Sequence, residues 1–320
     1  MKNTDHITLV LGSGGARGLA HIGVIKYLEE KRVPIHAVVG SSIGAIIGGA
    51  YASGMRAAEM EKIVESVDKL RMAKILWPGF SVSGIINNDR VRKFIRELVG
   101  DKRVEKLPCI FRAVATDLIT GEEVVIEKGS LADAIIASSA VPAVFQPVYY
   151  QSHYLIDGGL SNPLPISVAR RLSPQPVIAV NVAPNPERIR KIIQEKMKEK
   201  DSRRSPSLPA WLVTLLQSSG YTLPEKNRVK PSKPLTRPSD IYLPSALRVS
   251  LQSVLISANN LITLHMKQAR PDVLIAPKIE SYDMFDFHKG TEVIQCGYDA
   301  AKAIGLEDTI NSTIQTHILQ

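Results

Sequence analysis

A serine stands at the centre of a glycine-flanked turn near the start of the chain. Residues 38–54 read VVGSSIGAIIGGAYASG, so Ser42 occupies the middle of G-x-S-x-G between Gly40 and Gly44. An apolar run before it and small residues after it suit a nucleophile elbow, in which a sharp strand-to-helix turn exposes a serine hydroxyl. A plain glycine turn between packed elements fits the same five residues, and the local pattern leaves both interpretations open. Ser41 lies off the centre of the elbow, so its replacement by alanine is expected to be tolerated.

A second glycine-rich segment lies upstream, where residues 11–18 read LGSGGARG. A dinucleotide-binding turn would need glycine or alanine where Arg17 stands, and an acidic residue near residues 40–42, which read GSS. A P-loop is excluded because no G-K-[ST] is present. Two interpretations remain: a tight turn that needs glycine for steric reasons, or a set of backbone N–H groups that stabilises an anion such as an oxyanion.

The general base that would activate the serine is harder to assign. His153, His265 and His288 follow it in the chain, but none stands in a recognisable motif. His153 falls in a predicted strand, YYQSHYLI, and is expected to be a surface or packing histidine. Asp157 is the stronger candidate, since it directly follows this apolar run and precedes two glycines that permit close backbone approach. An aspartate that only caps or forms a turn is the alternative.

Apolar periodicity places both glycine turns between a strand and a helix. The expected strands cover residues 6–12, 36–40, 109–118, 122–127, 177–182 and 272–279. The expected helices begin at residue 15, cover 42–53, 56–70, 89–99 and 131–139, and resume from residue 245 until Pro271. Alternating strands and helices predict a parallel sheet with right-handed crossovers, in which the two glycine turns lie side by side. The N–H groups of Gly14 and Gly15 would then lie beside the Ser42 hydroxyl.

Four blocks in this order, GSGGARG, GSSIG, ASSAVPAVFQPV and DGG, resemble the bacterial patatin-like phospholipases over about half of the chain. The resemblance implies an α/β fold of three layers, α/β/α, with a mainly parallel central sheet. It implies lipid acyl hydrolysis through an acyl-enzyme, with Ser42 as nucleophile and Asp157 as its partner in a Ser-Asp dyad. It implies no metal and no other cofactor. The glycine block departs from the family's common D-G-G-G beginning, which leaves the identity of the donating N–H groups less defined.

The resemblance also implies roles for the glycine motifs. The implied oxyanion hole consists of Gly14, Gly15 and Ala16, and the implied supporting residues are Gly12, Arg17, Gly18, Gly40, Gly44 and Gly158. The expected substrate is a phospholipid, a lysophospholipid or another lipid acyl ester. An acyltransferase or thioesterase on the same fold is one alternative, and a non-catalytic lipid- or protein-binding regulator with a vestigial site is another.

Most of the positive charge lies in one segment. The net charge is +9 over 320 residues, and residues 187–237 hold 13 Lys and Arg against five Asp and Glu. We expect one patatin-like domain over residues 1–320 that carries a basic, proline-rich, partly mobile insertion at residues 184–244. This insertion suits peripheral contact with an anionic membrane, although a solvated charged helix and loop is the alternative. No nucleic-acid-binding motif is present, so no nucleic acid partner is expected.

The remaining sequence features concern the compartment. The chain has no stretch of about 20 apolar residues that would span a bilayer, and its N-terminal apolar run is too short for a signal peptide. A cytoplasmic protein, at most peripheral on the inner membrane face, is therefore expected. Cys109 and Cys296 are expected to be reduced thiols. No pattern in the sequence indicates an oligomeric state.

Overall fold

The fold is a mixed α/β structure with helices on both faces of one sheet. The computed structural model describes residues 6–66, 88–142, 144–172, 174–191 and 246–305. Its strands are β1 (Ile7–Leu11), β2 (Ile35–Ser41), β3 (Ile110–Asp117), β4 (Glu123–Ile126), β5 (Val148–Tyr150), β6 (His153–Asp157), β7 (Val177–Val180) and β8 (Val273–Ile275). Its helices are α1 (Ala20–Glu30), α2 (Ile43–Ala52), α3 (Ala57–Ser66), α4 (Asn88–Val99), α5 (Leu131–Ser138), α6 (Ile166–Leu172), α7 (Ala246–Gln268) and α8 (Gly290–Ala303).

The sheet is mostly parallel and has the strand order β5-β6-β3-β2-β1-β7-β8, with β4 paired to β3 off this path. Strands β3, β2, β1, β7 and β8 all run parallel to one another. Strands β4 and β6 run antiparallel to β3, and β5 runs antiparallel to β6. Because β1 and β2 are adjacent and parallel, the two glycine turns that follow them emerge at the same edge of the sheet, as predicted.

Side chains alternate across the sheet and divide the core into two clusters. Leu9 and Leu11 of β1 face α1, α2, α3, α4, α5 and α8, whereas Val10 faces α6 and α7 on the other side. The helices on the two faces and the sheet between them make the three layers that the sequence predicts.

Helices α1 and α8 approach each other unusually closely. A Cβ atom on Gly23 would overlap the carbonyl oxygen of Ile294, and a Cβ atom on Gly297 would overlap that of Ala20. Glycine at both positions is therefore what allows the two backbones to pack at this distance.

The predicted order of elements is confirmed, with local differences. The predicted strand YYQSHYLI is a hairpin, β5 and β6, joined by a turn in which Gln151 and Ser152 have φ values of 47° and 72°. The predicted helix from residue 15 begins as a 3-10 helix over Gly15–Leu19. Ser130 caps α5 by accepting a hydrogen bond from the N–H of Asp133, as its sequence indicates.

The chain divides into two compact units, one of residues 1–184 with 246–320 and one of residues 185–245. Apart from residues 184–191, the expected basic insertion at 184–244 lies outside the described residues, so its mobility and its membrane contact stay predictions. In the described ranges, no helix has the length and apolar character needed to cross a membrane. Cys109 and Cys296 are both free, as predicted.

Candidate active site

Ser42 lies between the end of β2 and the first residue of α2, in a conformation that few serines adopt. Its φ is 57° and its ψ is −123°, a sparsely populated region that costs on the order of 1–3 kcal/mol. The flanking glycines allow the turn to form: a Cβ atom on Gly44 would overlap the carbonyl oxygen of Leu11, and one on Gly40 would overlap that of Gly44. The structure therefore has the strand-turn-helix geometry of a nucleophile elbow.

The hydroxyl of Ser42 meets the carboxyl group of Asp157. Ser42 Oγ donates to Asp157 Oδ2 over 2.6 Å, and the second oxygen, Oδ1, accepts from the N–H of Gly159 over 2.7 Å. Both residues are buried, with 8% of Ser42 and 4% of Asp157 exposed. The two residues that the sequence pairs are thus in direct hydrogen-bond contact, although 115 positions separate them.

The surroundings of Asp157 make its carboxylate more basic. Burial raises its pKa from 3.8 to about 6, while the hydrogen bonds from Ser42 and Gly159 act in the opposite direction. At neutral pH the carboxyl group is still mostly ionised, so it can accept a proton. A general base is most effective when its pKa lies near the working pH, and about 6 is closer to neutral pH than the 3.8 of a solvated aspartate.

The backbone of Asp157 is held on both sides. Its N–H donates to the carbonyl oxygen of Ala140 over 3.0 Å, and its carbonyl oxygen accepts from Thr116 Oγ1 over 2.9 Å. Gly158 lies directly against the carbonyl group of Val114, where a Cβ atom would not fit. These contacts fix the position from which the carboxyl group reaches Ser42.

Gly12 anchors the glycine-rich turn to the core. Its N–H donates to Val180 over 3.1 Å, and its carbonyl oxygen lies 2.8 Å from Nε2 of the fully buried His21. Burial lowers the pKa of His21 to about 4, so the ring is neutral at physiological pH and Nε2 carries the donated hydrogen. His21 thereby fixes the orientation of the Gly12 peptide.

The three predicted oxyanion donors differ in their surroundings. Gly15 has a φ of 61° and packs against Met284, and Gly14 packs against Val182. The N–H of Ala16 donates to the carbonyl oxygen of Met284 over 2.9 Å. The Ala16 amide thus has a backbone partner in this structure, and the oxyanion hole of Gly14, Gly15 and Ala16 stays a prediction. No hydrogen bond from the N–H groups of Gly14 and Gly15 to another described residue is present.

The side chain of Arg17 holds a later segment of the chain. The side chain is buried, and its Nε donates to the carbonyl oxygen of Tyr282 over 2.8 Å. Burial lowers the pKa of Arg17, while the carboxylates of Asp283, Glu280 and Asp286 oppose that shift. Its neighbour Gly18 lies against Ile43, where a side chain would collide. Arg17 and Gly18 are therefore supporting residues of the turn.

Ser42 and Gly15 are among the residues that line an apolar cavity of about 220 Å³. One face of α2 lines it with Ile43, Ile46, Ile47 and Ala50, which follow the i, i+3, i+4, i+7 spacing of a single helix face. Helices α3 and α4 contribute Met60, Ile63, Val64, Val91, Phe94, Ile95 and Leu98 to the lining, and Phe145 and Phe287 contribute to it from outside these helices. Ser42 therefore lies at the wall of a hydrocarbon-lined space.

The histidines considered from the sequence bind elsewhere. His153 Nδ1 lies 2.6 Å from Asp117 Oδ2, and His265 Nδ1 lies 3.3 Å from Asn162 Oδ1. His288 Nδ1 lies 3.9 Å from Asp286 Oδ1. In the part of the chain that the structure describes, no histidine hydrogen-bonds to either member of the Ser-Asp pair, and no group of three or more His, Cys, Asp or Glu side chains could hold a metal.

Three residues that touch the site had no role in the sequence interpretation. Ser138 accepts a hydrogen bond from the Ser42 N–H over 3.0 Å, His21 holds Gly12, and Met284 covers Gly15 and Ala16. Ser138 belongs to the ASSAVP segment, which supports the family resemblance but does not by itself indicate a role for Ser138. The other two have no recognisable local signal.

Comparisons with known proteins show which family this sequence resembles. The family model described as patatin-like phospholipase matches residues 9–170. An uncharacterized NTE family protein of Mycobacterium tuberculosis is 38% identical over 181 residues, which cover 57% of this chain and 50% of that protein. Patatin-like phospholipase domain-containing protein 6 of Mus musculus is 28% identical over 308 residues, which cover 93% of this chain and 20% of that protein.

Among solved structures, VipD from Legionella pneumophila has a TM-score of 0.42 and 15% identity, covering 96% of this chain and 67% of that chain. This likeness is too low to support a statement about function. The matched region spans about half the length of the mycobacterial relative. Because the family model covers half of the chain and includes both Ser42 and Asp157, this chain belongs to the patatin-like phospholipase family.

Proposed function

We propose that this protein hydrolyses carboxylic esters of lipids through an acyl-enzyme formed on Ser42. The observation that carries the proposal is the 2.6 Å hydrogen bond between Ser42 Oγ and the buried Asp157 carboxylate, with Ser42 lining an apolar cavity. Membership of the patatin-like phospholipase family supports the same reaction class.

In the first half of the proposed reaction, Ser42 Oγ attacks the ester carbonyl carbon while its proton passes to Asp157 Oδ2. The tetrahedral intermediate collapses as the carbon–oxygen bond to the alcohol breaks and Asp157 returns the proton to that alcohol. In the second half, Asp157 takes a proton from water, the resulting hydroxide attacks the acyl-enzyme, and Ser42 regains its proton as the fatty acid leaves. Asp157 thus serves as base and acid in both halves, without a histidine.

The oxyanion of each intermediate needs donors that are not already engaged. We assign this role to the N–H groups of Gly14 and Gly15, since neither has a partner among the described residues and Gly15 lines the cavity next to Ser42. Loss of one such donor typically costs about 2.7–4 kcal/mol of transition-state stabilisation.

The cavity supports an acyl chain as the group that is transferred. The lining face of α2 runs from Ile43 to Ala50, a length of about 10 Å at 1.5 Å per residue. An extended chain advances roughly 1.2 Å per covalent bond, so the cavity along α2 holds an acyl chain of about eight to ten carbons.

A panel of esters tests the proposed function. Phospholipids, lysophospholipids and simple p-nitrophenyl esters with acyl chains of four to eighteen carbons, together with acyl thioesters, are incubated with the purified protein. We expect hydrolysis of lipid esters with release of free fatty acid. Transfer of the acyl group to an added alcohol in preference to water would indicate an acyltransferase. The absence of both turnover and fluorophosphonate labelling would refute the proposal and favour a binding role.

The proposed acyl site makes a prediction at Ala50, at the far end of the α2 face. Replacement by phenylalanine fills the deep end of the cavity, so kcat/KM for decanoyl and longer esters should fall on the order of tenfold or more. Butyryl ester hydrolysis by the same variant is the internal control and should change less than about threefold, because a four-carbon chain does not reach Ala50. Equal losses for both chain lengths would contradict this location of the acyl chain.

A further inference from the structure

The hydroxyl group of Ser138 joins three elements at the site. It accepts the Ser42 N–H over 3.0 Å and donates to the carbonyl oxygen of Val114 over 2.5 Å. Ser138 is the last residue of α5 and is fully buried. The side chain therefore connects the end of α5, strand β3 and the nucleophile turn in a single chain of hydrogen bonds.

Both backbone groups of Ser42, the carbonyl oxygen and the N–H, are hydrogen-bonded, and only the N–H has a side chain as its partner. Its carbonyl oxygen accepts from the N–H groups of Ala45 and Ile46 in the first turn of α2. Its N–H has Ser138 Oγ as its partner. Because Ser42 holds a φ of 57°, which an L-residue adopts only when its surroundings enforce it, the contact at the N–H restrains the turn where the backbone is strained.

The same short segment also holds the other member of the dyad. Two residues after Ser138, the carbonyl oxygen of Ala140 accepts the Asp157 N–H over 3.0 Å. Ser42 and Asp157 are therefore both attached, through their backbone N–H groups, to positions that lie two residues apart. The spacing between these attachment points contributes directly to the distance between the serine hydroxyl and the carboxylate.

On the basis of the proposed function, we propose that Ser138 is a positioning residue for the reaction: its hydroxyl holds the strained turn at Ser42 at the place from which Oγ reaches both Asp157 and the substrate. It touches no reacting atom, and it acts through the Ser42 backbone. A displacement of the nucleophile by about 1 Å can cost on the order of 100-fold in rate, so a small relaxation of the turn has a large effect on turnover.

The Ser138→Ala variant tests this role. We expect kcat and the rate of fluorophosphonate labelling to fall about 10- to 100-fold, with KM within about twofold of wild type, because the acyl cavity is unchanged. Ser138→Cys, which keeps a weak donor and acceptor at the same position, should lie between alanine and wild type. A kcat within about twofold of wild type in Ser138→Ala, or a change confined to KM, would overturn the proposal.

Ser53→Ala is the matched control. Ser53 is also a buried serine whose hydroxyl donates to a backbone carbonyl, that of Ala50 over 2.8 Å, but it stands at the opposite end of α2 from Ser42. We expect its kcat to stay within about twofold of wild type. A loss as large as that of Ser138→Ala would show that any buried serine in this region has the same effect, and the positioning role would then be rejected.

Amide hydrogen exchange separates this inference from the proposed function. The Ser42 N–H should exchange faster in Ser138→Ala than in wild type, while amides in the middle of β1 keep their protection. This readout needs no turnover, so it decides the inference even if the protein hydrolyses no ester. Unchanged exchange at Ser42 would refute the holding role. If Ser138→Ala does not fold, the same measurement on Ser138→Cys decides it.

Discussion

Replacement of Ser42 by alanine is expected to reduce lipid ester hydrolysis by a factor on the order of 10⁴ or more and to abolish fluorophosphonate labelling. The reason is that the proposed acyl-enzyme forms on Oγ, and in the described part of the chain no second hydroxyl is hydrogen-bonded to the carboxyl group of Asp157. The fold should persist, because the strained backbone at residue 42 is held by N–H and C=O contacts that alanine keeps. Circular dichroism and initial-rate assays on the purified variant measure both effects.

Ser41→Ala is the matched control for this prediction. Ser41 is fully buried and its hydroxyl has no hydrogen-bond partner in the described part of the chain. Its removal leaves no group unsatisfied, so activity should remain within about twofold and stability should not fall. Retained labelling in Ser42→Ala, or its loss in Ser41→Ala, would show that the nucleophile has been assigned to the wrong serine.

Asp157→Asn is expected to lower the activity and to raise the stability of the protein at pH 7, both by large amounts. Hydrolysis should fall on the order of 10⁴-fold, because an amide cannot accept the proton of Ser42. Stability at pH 7 should rise, because the variant no longer buries a charge. The folded-state pKa of Asp157, about 6, lies above its ordinary value of 3.8. The stability contributed by the protonated form is therefore present at low pH and lost as the pH rises through about 6.

The size of this stability change follows from the same shift. A difference of about two pKa units corresponds to roughly 3 kcal/mol at pH 7, which is an upper value for the gain in Asp157→Asn. Thermal unfolding from pH 4 to 8 measures it: the variant should melt several degrees above wild type at pH 7, and the two curves should converge near pH 4. A variant less stable than wild type at pH 7 would contradict this account of the burial.

The pH dependence of wild-type activity gives a further check on Asp157. Since the proposed base must be ionised in the free enzyme, kcat/KM should increase with pH up to about 6 and then level off. A profile that is flat between pH 5 and 7 would exclude Asp157 as the group whose ionisation controls the reaction.

The pairing of Ser42 with Asp157 can be predicted only from several sequence blocks considered together, because the local pattern at Ser42 also fits a plain glycine turn and that at Asp157 also fits a cap. Gly40, Gly44 and the apolar run before them indicate an elbow at Ser42, and Asp157 directly follows a strand and precedes two glycines. Alternating strands and helices then imply neighbouring parallel strand ends. These are short-range signals, and the structure preserves all of them.

The remaining features depend on contacts or conformations that leave no local trace. The hydrogen bond between the Ala16 N–H and the Met284 carbonyl joins positions 268 residues apart, so this partner of Ala16 could not be predicted from sequence. The β5–β6 hairpin was missed because its turn places Gln151 and Ser152, neither of them glycine, at positive φ. The role inferred for Ser138 depends on where the end of α5 meets β2 in space, which periodicity does not specify.

The close packing of α1 against α8 has a consequence for biosynthesis. Gly23 meets Ile294, and Gly297 meets Ala20, so the apolar face of α1 stays without its partner until the ribosome has completed α8. At a translation rate of about 5–20 residues per second, roughly 15–55 seconds separate the synthesis of α1 from that of α8. Once residue 157 has been made, the nascent chain contains Ser42 and Asp157 yet still lacks Met284, which packs against Gly15. The proposed active site is therefore complete only after the segment around Met284 has been synthesised, late in translation.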